Sequence, residues 1–201
     1  MKSRWGEEEK ETLQAIRNVA FFGNVLNLAA GDGRFNNEVL KFANVVACDI
    51  NKEELELLKK QTPSNLKQKL STTTCDITKL PFENNSFEGL FCTGVLHLFN
   101  HKTLEIIFNE INRVLKPGGK LVIDFACDIE RINKSNNKPF KFESECGYSE
   151  KEAKVLLKQY LNKFKLNMET HSFCEDNSET PDGIKFVLQG KFLLVSGFKK
   201  E

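Results

Sequence analysis

Gly31, Asp32 and Gly33 interrupt a buried-looking run, "NVLNLAA", and a helical pattern begins directly after them. A strand that ends in glycines and turns into a helix presents backbone N–H groups at the helix start. With no Cβ in the way, a ligand can come close to them. A tight turn without a ligand is the plainer alternative. Asp49 stands 18 positions beyond Gly31, at the end of the next apolar run. Nucleotide-binding α/β folds place an acid roughly 20 residues beyond their glycines, where its carboxylate accepts hydrogen bonds from ribose hydroxyls. The other reading of Asp49 is a cap for a helix starting near Asn51. A dinucleotide fingerprint would require glycine at position 36, and Asn36 stands there instead. That substitution disfavours a nicotinamide cofactor.

The chain that must position these residues has 201 of them, 40% hydrophobic and 28% charged, which fits one α/β domain with a sizeable core. A formal net charge of +1 provides no global attraction to nucleic acid or to an anionic membrane. The cysteines at 48, 75, 92, 127, 146 and 174 form no C-x-x-C pair, so they read as reduced thiols rather than zinc ligands, and no metal is expected. The charged leader "MKSRWGEEEKE" is unlike a signal peptide, and no run reaches the ~18 apolar residues of a membrane span. A soluble, cytoplasmic protein is the expectation.

Leu13, Ile16 and Ala20 share a helical face, predicting a first helix over residues 7–20. "NVLNLA" reads as a strand, and Phe35, Val39, Phe42 and Ala43 as the buried face of a helix. "NVVACD", "STTTCDI", "SFEGLFCTG" and "KLVIDFA" are further strands. Leu55 and Leu58 mark a helix between the first two of these. Leu104, Ile107, Phe108, Ile111, Val114 and Leu115 mark a longer one, stopped by Pro117-Gly118-Gly119. Strands alternating with helices predict a parallel sheet covered on both faces. Residues 128–147 read as a long polar loop, and Ala153, Leu156, Leu157, Tyr160 and Phe164 as another helix. "LNMETHSFC" and "IKFVLQGKFLLVSGF" then follow with no helix between them, which predicts an antiparallel hairpin. The chain reads as one domain: a helical leader over 1–22, a binding core over 24–125, a substrate-side loop over 126–148, and a helix plus hairpin over 149–199.

Four stretches, "VLNLAAGDGRF", "VVACDI", "TTCDITKLPFENNSFEGLFCTGVLHLF" and "INRVLKPGGKLVIDF", together resemble the class I S-adenosylmethionine-dependent methyltransferases, over roughly residues 25–125. The resemblance implies an α/β, Rossmann-like, doubly wound sheet of seven strands, mostly parallel, with an antiparallel C-terminal hairpin strand. It also implies S-adenosyl-L-methionine as cofactor and S-adenosyl-L-homocysteine as product. Carried over position by position, Asn27, Ala29, Gly31 and Gly33 lie beside the methionine moiety. Asp49 takes the ribose hydroxyls and Ile50 covers an adenine face. Asp76 accepts the adenine amino group, the Ile77 N–H reaches a ring nitrogen, and Cys92, Thr93 and Gly94 line the sulfonium end. A turn residue before Thr78 is the alternative for Asp76. Two positions depart from the family pattern: Asn27 replaces a usual acid, giving up charge assistance, and Ala29 replaces a frequent glycine.

Methyl transfer needs an acceptor lone pair held near the methyl carbon and a route for a proton. His97, after the fourth strand, is the candidate general base or orienting group, weighed against a histidine satisfied behind the site. His101 is expected to cap the next helix, and His171 to be structural. Trp5 is either a cover for the cofactor or packing for the first helix. Arg131, Lys134, Lys138 and Lys141 make the 131–142 segment basic, either a lip over an acceptor pocket or solvated surface. No Asn-Pro-Pro-Tyr follows the fourth strand and no Pro-Cys pair exists, which disfavours amino methylation of adenine or glutamine and covalent methylation of cytosine. The expectation is a methyltransferase for a small or medium-sized acceptor, acting as a monomer or homodimer away from membranes. Nucleic acid is the less favoured partner. A tRNA or protein methyltransferase and a non-catalytic cofactor-binding module are the alternatives.

Overall fold

The computed structural model describes residues 6–142 and 146–201. Trp5, named above, lies outside the described residues. The central sheet runs β3-β2-β1-β4-β5-β8-β7, with β1 at Asn24–Leu28, β2 at Asn44–Asp49, β3 at Leu70–Thr74, β4 at Phe87–Cys92, β5 at Leu115–Asn133, β7 at Phe164–Glu179 and β8 at Lys185–Lys199. A short β6, Lys138–Phe140, pairs with β5 off this path. β1 to β5 pair in parallel, and β8 runs antiparallel to both β5 and β7. The doubly wound sheet and its antiparallel hairpin are as the sequence predicts.

Alternation along each strand divides the core into two. Leu26, Leu90, Leu121 and Ile123 face α4 (His101–Val114) and α5 (Glu150–Tyr160), where Leu104, Ile107, Phe108, Ile111 and Leu157 pack on them. Val25, Val45, Phe91 and Val122 point the other way, against Ile16 of α1 (Gly6–Val19) and against Phe35 and Val39. Register brings Leu28 level with Cys48, Asp49 level with Thr74, and Asn27 level with Phe91. The strand ends that carry the candidate residues therefore line one edge of the sheet. The order reverses between β1 and β4, and at such a switch point an open α/β sheet has its ligand crevice.

Several expectations are corrected. The helix after the glycines, α2, is only Asn36–Val39, and Phe42 is 66% exposed while Leu40 is buried in its place. Pro117-Gly118-Gly119 does not stop α4, which has already ended at Val114. Those residues form the irregular corner between the paired residues Leu115 and Lys120, with Gly118 at φ +73°.

Residues 128–147 are not one long loop. β5 continues to Asn133, turns, and pairs back as Arg131↔Phe140 and Asn133↔Lys138. The Asn Oδ1 atoms close this turn: Asn133 accepts from the Ser135 N–H and hydroxyl, and Asn136 from the Lys138 N–H. Phe140 stacks edge-on against Phe186 and Phe142.

Among the cysteines, Cys48 and Cys75 are joined as a disulfide across the tops of β2 and β3, with Cα atoms 6.0 Å apart. They are therefore not the separate reduced thiols expected. Neighbouring parallel strands place them side by side, which no local spacing announces. Cys92, Cys127, Cys146 and Cys174 are free.

Candidate functional site

The turn after β1 is built from left-handed backbone: Ala29, Gly31 and Gly33 have φ of +54°, +50° and +80°. The two glycines serve different needs. A Cβ on Gly33 would run into the Leu58 side chain at 2.7 Å, so this glycine lets the turn pack against α3 (Lys52–Gln61). A Cβ on Gly31 would meet nothing within 4 Å, so this one fronts open space and leaves the backbone approachable.

Asp49 ties that turn to β2. Its Oδ2 accepts from the Gly31 N–H and its Oδ1 from the Asn51 N–H, each at 2.8 Å. The cap of α3 is the Asn51 side chain, accepting from Glu53 and Glu54, so the helix-cap alternative for Asp49 falls away. Each Asp49 oxygen keeps lone-pair capacity for a hydroxyl donor. Ile50, beside it, is 73% exposed. Just past the end of β3, Asp76 Oδ1 accepts from the Thr78 N–H at 2.8 Å and the Thr78 hydroxyl at 2.7 Å. These bonds, the backbone one first, lower its pKa. Asp76 is thus a turn residue as well, which leaves Oδ2 for another donor. Ile77 is buried behind it.

Asn27 is buried, and its Nδ2 donates to Asn36 Oδ1 at 2.9 Å. The Asn36 Nδ2 that results is buried with no partner among the described residues. Asn27, which departs from the family pattern, and Asn36, which stands where a dinucleotide fingerprint needs glycine, are therefore one structural unit. At the end of β4, Cys92 is fully buried. Burial, followed by the charges of Asp124 and Asp49, raises its pKa, so it stays a neutral thiol. Thr93 is half-buried and Gly94, at φ +75°, borders open space. The Gly94 N–H donates to Asp124 Oδ1 at 2.6 Å.

Asp124, which sequence reading did not single out, joins this group through that bond. Its one signal is an acid inside the apolar run "KLVIDFA". It is buried, and burial raises its pKa to about 6 against the opposing Gly94 hydrogen bond and Arg34 charge.

His97 sits in a single 3₁₀ turn, Leu96–Leu98, with its ring edge-on to Phe125. It is 8% exposed, and burial, with the Arg131 charge, lowers its pKa to about 4. It is therefore uncharged near neutral pH and a weak base, which weighs against it as the proton acceptor. His101 does not cap α4. Asn100 does, accepting from the Thr103 N–H, while His101 stacks on Tyr148 and contacts Glu152. His171 stacks on Phe192 in the hairpin.

These residues, gathered from the ends of β1, β2, β3 and β4, suit an adenosine-containing ligand. Two carboxylates stand on adjacent strand ends, an exposed aliphatic side chain lies beside one of them, and open backbone faces the crevice. No metal-binding cluster occurs among the described residues. Comparison with known proteins agrees with this reading. Residues 26–123 match the methyltransferase domain family. An uncharacterized chloroplastic methyltransferase of Arabidopsis thaliana is 31% identical over 130 residues, 59% of this chain and 36% of that protein. The ubiquinone/menaquinone biosynthesis C-methyltransferase of Desulfotalea psychrophila is 34% identical over 103 residues, 50% of this chain and 40% of that protein. The chain thus spans less than half the length of these curated relatives.

The fold is shared with the YcgJ protein of Bacillus subtilis (TM-score 0.70, 15% identity, 96% of this chain and 99% of that one). It is also shared with the geranyl diphosphate C-methyltransferase of Streptomyces coelicolor, solved with S-adenosyl-L-homocysteine (TM-score 0.65, 13% identity, 94% of this chain and 80% of that one). The sequence motifs, the sheet order and the match over residues 26–123 converge on a methyltransferase domain, in a fold shared with a methyltransferase solved with S-adenosyl-L-homocysteine.

Proposed function

We propose that the protein transfers the methyl group of S-adenosyl-L-methionine to a small or medium-sized acceptor. The observation that carries this is the pairing of Asp49 with the Gly31 N–H beside a Cβ position open to the crevice. That arrangement holds a carboxylate and bare backbone ready for one ligand. Asp49 would take the ribose hydroxyls, Ile50 an adenine face, Asp76 the adenine amino group and the Ile77 N–H a ring nitrogen. Asn27, Ala29, Gly31 and Gly33 would border the methionine end. Cys92, Thr93 and Gly94 would line the sulfonium. The cofactor, when bound, supplies an electrophilic methyl carbon on a good thioether leaving group. The protein's part is to orient an acceptor lone pair in line and to let its proton leave.

Relatives named for a quinone and for a sterol support an acceptor of modest size. The test is transfer of labelled methyl from S-adenosyl-L-methionine into fractionated cell extract. Label in the small-molecule fraction is expected. Label confined to RNA or protein would replace this acceptor class, and no label despite cofactor binding would favour a binding module.

A further inference from the structure

Asp124 is a carboxylate 8% exposed, yet among the described residues it accepts a single hydrogen bond, from the Gly94 N–H. A carboxylate has acceptor capacity for about four hydrogen bonds. A buried charge so sparsely satisfied is costly unless a cation or a further donor reaches it. It shares its face of β5 with Val122, the face that packs toward α1 and the segment after the glycines, and its partner on β8 is the apolar Leu194. Arg34, whose charge acts on it, makes no ion pair with it among the described residues. That guanidinium lies over the Phe35 ring, 5.7 Å from its centre. On the other side of the hydrogen bond, Gly94 has no side chain and borders open space, so Asp124 lies directly behind backbone that faces the crevice.

We propose that the Asp124 carboxylate is the counter-charge for the sulfonium of S-adenosyl-L-methionine, and that it sets the preference for this cationic donor over the neutral thioether product. The inference rests on the placement of the sulfonium end along Cys92, Thr93 and Gly94 given above. Its consequence reaches turnover. Once the methyl group leaves, the ligand loses its positive charge and Asp124 stops holding it, so product release is favoured by the same contact that holds substrate. Near neutral pH the carboxyl, with its pKa pushed up to about 6, is mostly ionised, and a bound cation favours the ionised form further.

The experiment is calorimetric titration of the wild-type protein and Asp124→Asn with S-adenosyl-L-methionine and, separately, S-adenosyl-L-homocysteine at pH 7.5. The amide keeps an acceptor for the Gly94 N–H and the side-chain shape while removing the charge. Affinity for the sulfonium ligand should fall about tenfold or more, while affinity for the thioether changes by no more than about twofold, because only the former carries the charge. Equal losses for both ligands, or no loss for either, would overturn the proposal. If the variant does not fold, the wild type is titrated between pH 8 and pH 5.5. The ratio of the two affinities should then shift toward the thioether as Asp124 takes up its proton. The Cys92 thiol, its pKa raised by burial, stays protonated over this range and does not mimic that shift. A flat ratio overturns the assignment. A wild type that binds neither ligand would instead sink the cofactor placement itself, a different result from a variant that binds both alike.

Discussion

Asp49 makes two backbone hydrogen bonds in the protein and is assigned two more in the complex, so its loss should register twice. Asp49→Ala should weaken S-adenosyl-L-homocysteine binding about tenfold or more, since hydrogen bonds to a charged acceptor are worth about 1.5–3 kcal/mol each. It should also lower the melting temperature, because the Gly31 and Asn51 N–H groups lose their acceptor. Unchanged affinity in a folded variant would remove the ribose role. His97 yields a pH prediction instead. Its folded pKa, about 4, lies below the ordinary histidine value near 6.5, so the unfolded chain binds the extra proton between those pH values. Stability should therefore be full above pH 6.5 and decline as pH falls toward 4, by at most about 1.4 kcal/mol per pH unit. In His97→Gln the part of that slope due to His97 should vanish in denaturant titrations at stepped pH, and an unaltered slope would show the ring is not buried neutral. Candidates set apart by close spacing, Gly31 and Asp49 above all, could be picked out in the chain itself, and the structure joins the two. Asp124 could not, because its meaning depends on Gly94, 30 positions away, across a strand pairing.

At the scale of elements, the sequence spoke clearly wherever one period dominated. α4 and strands β1, β2 and β4 fall where their apolar patterns put them, since each has a buried face wide enough to impose that pattern. The α2 segment misled because Phe42 continues the helical spacing after the helix itself has stopped. The 131–142 segment misled for another reason. Its Asn and Ser residues read as loop composition, yet they close a tight hairpin, and Phe140 packs edge-on against Phe186 of β8. As an ordered hairpin rather than an open lip, it should protect the amides of the Arg131↔Phe140 pairing in hydrogen exchange. Phe140→Ala should abolish that protection and cost about 1–2 kcal/mol, less than a fully buried phenylalanine because Phe140 is half-buried. S-adenosyl-L-homocysteine affinity should stay within about twofold, since the residues assigned to the cofactor come from β1 to β4. Exchange as fast as in an unstructured peptide would restore the lip.

Across the whole molecule, the alternation of strands and helices foretold a two-faced parallel sheet, and the unbroken pair of late strands foretold the antiparallel end. Strand order and the Cys48–Cys75 contact carry no such local trace. The disulfide arises only when β2 pairs with β3, and the order β3-β2-β1-β4 brings all the assigned cofactor contacts to one edge. A ligand bridging four strand ends must bind the folded chain and not the unfolded one, so its affinity appears as global stability. S-adenosyl-L-homocysteine at 100 times its dissociation constant should add about 2.7 kcal/mol. For a chain of this size, each kcal/mol raises the melting temperature about 2–4 °C, so a rise of about 5–11 °C is expected. NADH at the same concentration should produce none, since Asn36 occupies the position where a dinucleotide site needs glycine. Hydrogen exchange should locate the effect: added protection should concentrate at residues 29–33, 49–51, 76–78 and 92–94, and leave the β7–β8 hairpin tip unchanged. A melting shift with NADH alone, or protection confined to the hairpin, would move the binding site away from the β1–β4 switch point.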